Sequence, residues 1–504
     1  MNLILPILAA LAMSVGWGFR GDYGHEAGAM VPGALVALAI CLAARRADWW
    51  ERGSLLALLG AVGWAFGGQM SYGRVIGYTA HSSFWDVLYG FACLFAIGAL
   101  WGGIGAGILA LGVTQPRAEL ERFAGPLVSL WIVWRITEWS GLDDRLSSRW
   151  SLYDSDWTAA SWALLVAIVY GAIRPRSRGA CGLIARLALG WWAGLLVLTL
   201  LLGLRMTPPR SDNWAGCAGL WLALAAHLWR TRNRAALMLS LYGLLAGGVG
   251  FAVGDLFNML GRAEWGPIGR YESLRGLGSW KWMEQSFGLM MGFGVALGFG
   301  RAARRLATPV EDEPAGPLRY ASLFFLLLGI WWQNLPRNVS RWVEGGHLFE
   351  WVLRVAPQRW MLIVALLLSA LIAWAIVRYR RGGLPIVPAS AFGRAQLLFL
   401  LILWIAIIAD FTQAFPVLKL REVFFVHLTF WLTALACTLP ALALRPDPIA
   451  PERLPADDSR WIPGWKHALL WALAPVLIFA LAKAAIASHD GPLPGSHLRF
   501  EIKE

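Results

Sequence analysis

The sequence predicts an all-α polytopic membrane protein with about fifteen transmembrane helices and a parallel internal repeat of four-helix units. Three observations carry that prediction. Apolar runs long enough to cross a bilayer recur along the whole chain, arginines collect in alternate short loops, and residues 29–59 match residues 215–245. The 504 residues are 58% hydrophobic and only 15% charged. Soluble domains carry about 25% charged residues, and a soluble fold of this length cannot bury so much apolar surface.

The apolar runs fall at 2–19, 27–44, 54–72 and 85–113, a first unit of four spans within 1–113. A two-span connector at 114–183 holds 125–142 and 157–174, and a second four-span unit at 184–304 holds 184–204, 214–229, 235–257 and 282–303. The C-terminal bundle, 305–487, holds 318–335, 357–378, 395–412, 423–444 and 465–487, followed by a short tail at 488–504. Ala10-Leu11-Ala12 resembles a signal-peptidase site, but no basic segment precedes the short apolar run, so residues 2–19 read as a retained span. Segments 307–316 and 445–463 are rich in proline and acid and read as connectors.

Net charge is +13, from 44 basic and 31 acidic residues. Arg45/Arg46/Arg52, Arg117/Arg122, Arg174/Arg176/Arg178, Arg230/Arg232/Arg234, Arg301/Arg304/Arg305 and Arg378/Arg380/Arg381 occupy alternate loops. By the positive-inside rule those loops are cytoplasmic. A bacterial-type inner membrane, a cytoplasmic N-terminus and a periplasmic C-terminus follow. Nucleic acid is excluded as a partner because no basic stripe interleaves with exposed aromatics. Membrane lipid, a small polar or anionic solute, a second copy of the chain and a larger complex remain as partners. The five cysteines sit in or beside apolar runs without metal-ligand spacing and read as small core residues. Many of the 31 tryptophans lie near span ends, as an interfacial belt would place them.

The repeat appears at an offset of 186, where 11 of 31 positions are identical between 29–59 and 215–245. Upstream, Gly18-Phe19-Arg20 falls on Gly203-Leu204-Arg205. Downstream, Asp86, Gly90, Phe95 and Gly102 fall on Glu284, Gly288, Phe293 and Gly300. Six spans separate the equivalents, so the units are parallel. A weaker third echo lies in 318–444. Glycines four apart, Gly63/Gly67 and Gly98/Gly102 in the first unit and Gly250/Gly254 and Gly288/Gly292 in the second, make flat faces for helix packing.

Ionisable residues within spans are costly, and in membrane proteins they mark function. The candidates for binding are Arg20, Asp22, His25, Glu26, Gln69, Asp86, Arg205, Asp255 and Glu284. If the repeat orders them, Arg20/Arg205, Gln69/Asp255 and Asp86/Glu284 form a pseudo-symmetric cluster around an outward-facing cavity. The segment from Gly16 to Gly28 has five glycines in thirteen residues, and reads as either a broken connection aiming Arg20 and His25 inward or a tight turn. No metal, cofactor or nucleotide motif is present: His25-Glu26 lacks the second histidine of a zinc helix, and there is no phosphate-binding glycine loop. His227 and His427 read as hydrogen-bonded structural residues.

Two functional classes fit best. In a permease, Arg20 and Arg205 bind the solute while Asp86, Asp255 or Glu284 carries a coupling proton or positions the arginines. In a periplasm-facing transferase with a lipid-linked donor, an acid such as Asp22, Glu26 or Asp86 is the general base. A structural or assembly subunit is the third class. The inner halves of the spans are poor in charge, which tells against a polar path through the membrane.

Overall fold

The computed structural model describes residues 3–142, 145–146, 156–206, 213–271, 278–307, 322–323, 325–329, 394–414, 426–447 and 465–498, with isolated positions between 359 and 378. Among these residues the regular elements are helices, and extended pairing is limited to one parallel bridge, Arg46 with Asp447. In chain order the helices are α1 (Ile4–Arg20), α2 (Glu26–Ala43), α3 (Ala47–Glu51), α4 (Gly53–Gly67), α5 (Gly73–Thr79), α6 (Phe84–Thr114), α7 (Arg117–Glu121), α8 (Ala124–Trp139) and α9 (Asp156–Ile173). They continue with α10 (Arg178–Gly194), α11 (Asn213–Arg230), α12 (Arg234–Arg262), α13 (Pro267–Arg270), α14 (Ser279–Ala303), α15 (Arg394–Ala414), α16 (Leu428–Ala443), α17 (Trp465–Ala472) and α18 (Ala474–Ile486).

Seven helical runs are long and apolar enough to cross a membrane, and four shorter helices are apolar, among the described residues. The chain is a helical membrane protein. The expected spans 318–335 and 357–378 lie largely outside the described residues. Those at 125–142 and 214–229 are helices, α8 and α11, but less apolar ones, diluted by three tryptophans each, by Arg135 in α8 and by His227 and Arg230 in α11.

α1, α2, α4, α6, α12 and α14 form the central group, with α2 and α6 the most deeply buried, while α8, α9 and α10 lie outboard. Helices α15 and α16 pack on α2 and α1, and α18 lies along α6 and α12. Lipid tails are as apolar as leucine, so close packing must hold these helices together. Glycine supplies it. Gly98 and Gly102 of α6 meet Gly247 and Gly243 of α12 backbone to backbone, and a Cβ at any of the four would collide with the opposite carbonyl. Gly250 and Gly254 turn a second face of α12 toward Phe287 and Met283 of α14, while Gly288 and Gly292 receive Met13 and Ala9 of α1.

Consecutive helices alternate between two ends of the bundle. At one end the loop after α2 closes three helix C-termini with arginine. Arg52 Nη1 donates to the carbonyls of Gly112 and Gln115 at 2.9 Å each, ending α6. Arg46 Nη1 donates to Ala303 and Leu306 at 3.2 and 2.7 Å beyond α14, and its Nη2 pairs with Asp48 at 2.6 Å. Arg45 reaches the Arg445 carbonyl past α16 and pairs with Asp447 at 2.6 Å. The last carbonyls of a helix lack intrahelical donors and carry negative partial charge, so a buried guanidinium suits them. The sequence places these arginines in a loop. Packing buries Arg46 and Arg52 and gives each a helix end to close.

At the opposite end the short helix α5 lies between α6 and α12, and residues 488–498 fold across it. Leu493 N–H donates to the Ala80 carbonyl at 2.8 Å, and Arg262 Nη1 donates to the Pro494 carbonyl at 3.0 Å. The C-terminal tail is therefore a strap over α5.

Candidate functional site

The end of α1, the residue ahead of α5 and the first turns of α14 bring Arg20, Tyr72 and Glu284 together. α1 remains helical through Gly16 and Gly18 up to Arg20, because those glycines admit Pro32 of α2 and Phe430 of α16 against its sides. A single 3-10 turn, Gly21–Tyr23, and Gly24 at φ 90° then reverse the chain into α2. The glycine-rich segment is thus a tight turn and not a broken span. Gly28 lies against the Arg20 carbonyl, which locks the turn over the end of α1.

Arg20 is 2% exposed and Glu284, one turn into α14, is 3% exposed. Arg20 Nη2 pairs with Glu284 Oε1 at 3.2 Å, and the Tyr72 hydroxyl donates to the same oxygen at 3.0 Å. Arg20 Nη2 also meets the Tyr72 hydroxyl. Around the guanidinium stand Trp17 at 5.1 Å, Trp101 at 5.3 Å and Tyr72 at 5.6 Å from their ring centroids. Phe287 and Phe251 back this cage, and Trp280 stacks on the outer face of Tyr72 at 5.8 Å. Aromatic faces stabilise a cation that has left water. Two donors remain over: Arg20 Nε and Nη1 are buried without a hydrogen-bond partner among the described residues. A buried donor left unpaired costs about 1–3 kcal/mol.

Further along α12, one turn beyond Phe251, Asp255 and Asn258 form a second buried polar group, both 0% exposed. Asn258 Nδ2 donates to Asp255 Oδ1 at 3.2 Å. Asp255 Oδ2 and Asn258 Oδ1 are buried without a partner among the described residues.

A third buried pair joins Asp410 of α15 to His427 at the start of α16, at 3.0 Å. It lies against α1: Tyr23 donates to the Ala406 carbonyl at 2.7 Å, one turn before Asp410, and Phe430 packs between His427 and Phe19. Gln285, beside Glu284, reaches Thr429 at 3.4 Å. The acid facing His427 thus comes from the neighbouring helix.

The remaining expected site residues do not converge on Arg20. Asp86 pairs with His81 at 2.7 Å in the loop ahead of α6, both partly exposed. Arg205 is exposed, and it is its backbone carbonyl that accepts from Tyr89 at 2.5 Å. His25 and Glu26 are exposed at the start of α2, against Gly68. The Gln69 carbonyl accepts from Asn213 at 3.3 Å, and its Oε1 is buried without a partner. The side chain of Asp22 lies outside the described part. Of the proposed pseudo-symmetric pairs, then, Arg20 and Glu284 meet each other, while Arg205 and Asp86 stand elsewhere.

Tyr72, Trp17 and Trp101 escape the sequence reading. Trp17 lies three residues before Arg20 and so shares its helix face, a usable signal. Tyr72 and Trp101 are distant in sequence, and nothing local assigns them to an arginine. No family model, curated protein or solved structure matches the chain. Function has to be argued from this geometry alone.

Proposed function

We propose that the protein is a membrane permease for a small anionic or polar solute and that Arg20 is its binding cation. One observation carries the reading: a fully buried guanidinium, held in an aromatic cage, keeps two nitrogens unpartnered among the described residues while Glu284 and Tyr72 share the third. Glu284 serves as an internal anion that an incoming carboxylate or phosphate displaces. Charge-assisted pairing with planar oxyanions is what arginine does better than lysine. Tyr72 and the rings of Trp17 and Trp101 enclose the guanidinium, as a carrier in an occluded state requires.

The same reading takes the chain as about fifteen spans built on a parallel four-helix duplication. In its support, an arginine with left-handed backbone follows each of the matched helices α2 and α11, Arg45 at φ 57° and Arg232 at φ 58°, one residue out of the 186 register. The packing of the two units has diverged, since α1 lies on α14 while α10 lies on α9 and α11. Basic loops gathered at the end away from Arg20 support a cytoplasmic N-terminus in an inner membrane, with the tail on the opposite face.

The test is flux into proteoliposomes of labelled phosphate, sulfate, dicarboxylates and amino acids. Uptake of at least one of them is expected, with Arg20→Ala abolishing it and Arg20→Lys reducing it at least about tenfold. Undiminished uptake by both variants overturns the assignment.

A further inference from the structure

Three carboxylates could partner the permease proposed above, and their surroundings separate them. Asp86 has His81 and partial exposure; Glu284 has Arg20 and Tyr72. Asp255 is fully buried and forms no salt bridge among the described residues. Arg262, two turns along α12, acts on it only through space, and a dry carboxylate without a direct ion pair is costly to keep.

We infer that Asp255, Asn258 and Thr79 form a site for a small coupling cation, H⁺ or Na⁺, distinct from the Arg20 cage. The Asn258 amide nitrogen is spent on Asp255 Oδ1, which leaves oxygens facing the site. Asp255 Oδ2 and Asn258 Oδ1, three residues apart on one face of α12, both have unused lone pairs in a fully buried place. The Thr79 side chain approaches Asp255 from the last residue of α5. Helix C-termini present negative partial charge, and the ends of short helices beside a carboxylate are where membrane carriers hold Na⁺ or H⁺.

The charged groups on the surrounding elements leave this role open. On α12 itself Arg262 stands two turns away, with Nη1 on the Pro494 carbonyl and its guanidinium 6.0 Å from the Trp280 ring. On α14, Glu284 belongs to Arg20 and Lys281 lies near the helix start. On α6, Asp86 belongs to His81. Lys483 of α18 lies over Phe84 at 4.7 Å, and Arg74 starts α5 at its far end from Thr79. A cation bound here ties α5 to α12, and Tyr72, the residue just ahead of α5, meets Arg20. Occupancy and closure over the solute site are therefore linked, which is how an ion drives a carrier. That link rests on the permease reading; the cation site itself does not.

The experiment uses the full chain reconstituted in lipid, with two readouts that need no solute. Infrared spectroscopy follows the protonated-carboxyl band across a pH series, and thermal unfolding is measured with NaCl against choline chloride. A carboxyl band present in the wild type, missing in Asp255→Asn and retained in Asp86→Asn and Glu284→Gln identifies the cation as H⁺. Stabilisation by NaCl over choline chloride that Asp255→Asn and Thr79→Val remove identifies it as Na⁺. Asp255→Glu, which keeps the acid, serves if the asparagine variant does not fold: it moves the band or weakens the Na⁺ effect without deleting it. Absence of both signals in the wild type, or their persistence in Asp255→Asn, overturns the site. Because neither readout measures flux, failure here leaves the Arg20 permease test standing, and failure of that test leaves this one standing.

Discussion

Arg20 and Glu284 face each other at 3.2 Å inside a cage of rings, so removing one leaves the other charged and dry. Breaking a buried pair from one side costs about 3–5 kcal/mol, whereas replacing both members by apolar groups of similar size is often near neutral. Arg20→Met is therefore expected to lower the thermal midpoint in detergent far more than Arg20→Met combined with Glu284→Leu. Equal losses in the single and double variants would refute the pair as an energetic unit. Glu284→Gln, which keeps the shape and one acceptor, is expected to free the guanidinium and tighten anion binding by about tenfold, or 1.4 kcal/mol, read by calorimetry with the solute that the flux assay identifies. Half of this site is legible in the sequence. An arginine ending one apolar span and a glutamate opening another are both conspicuous because intramembrane charge is rare. Their partnership is not legible, since 264 residues separate them and Asp86 and Arg205 look equally eligible.

At the scale of helices, the decisive contacts are the glycine face between α6 and α12 and the arginine caps. Gly102 and Gly243 each abut the other's carbonyl, leaving no room for a side chain on either. Gly102→Val and Gly247→Leu are expected to separate the two helices, with a loss of about 1–3 kcal/mol or more from overpacking. Gly73→Ala, at a position with open space, should be silent in the same melt. Arg52→Ala removes both donors from the end of α6 and leaves buried carbonyls unpaired, a cost of about 1–3 kcal/mol. Arg52→Lys should recover less than half of it, because a single ammonium on a flexible stem cannot hold the planar two-carbonyl geometry. Glycine spacing announces that close packing exists, and Gly98 and Gly102 are readable as one such face. Which helix comes to lie there is not readable: Gly243 and Gly247 meet α6, whereas the equally well spaced Gly250 and Gly254 meet α14.

Across the whole molecule, the two ends differ in kind. Arginine caps and their acids hold one end closed, and at the other the tail strap crosses α5 above the buried polar groups. Truncation after Ser488 is expected to remove the Ala80 and Arg262 contacts and raise hydrogen exchange in residues 73–80 at least several-fold, while exchange in the α6–α12 face stays unchanged. Unaltered exchange in α5 would mean that the strap does not restrain it. The proposed orientation is checked with single cysteines in an otherwise cysteine-free background. Asp447→Cys should react with an impermeant reagent only from the cytoplasmic side and His489→Cys only from the outer side.

The sequence alone determined that this is an all-helical membrane protein, where most of its helices begin and end, and which few charges are too costly to be incidental. Those properties follow from local quantities: the length of an apolar run, the residues that interrupt it, and the price in free energy of placing charge in hydrocarbon. Only the tertiary structure decided that Arg20 pairs with Glu284, that Tyr72 and Trp101 complete its cage, that Asp255 is buried without a direct ion pair, and that loop arginines cap distant helices. Helices made of leucine, alanine and glycine are apolar on every face, so their sequences scarcely rank one neighbour over another. Partner choice rests on shape, on where a missing Cβ admits a particular backbone, and shape exists only once the helices are assembled.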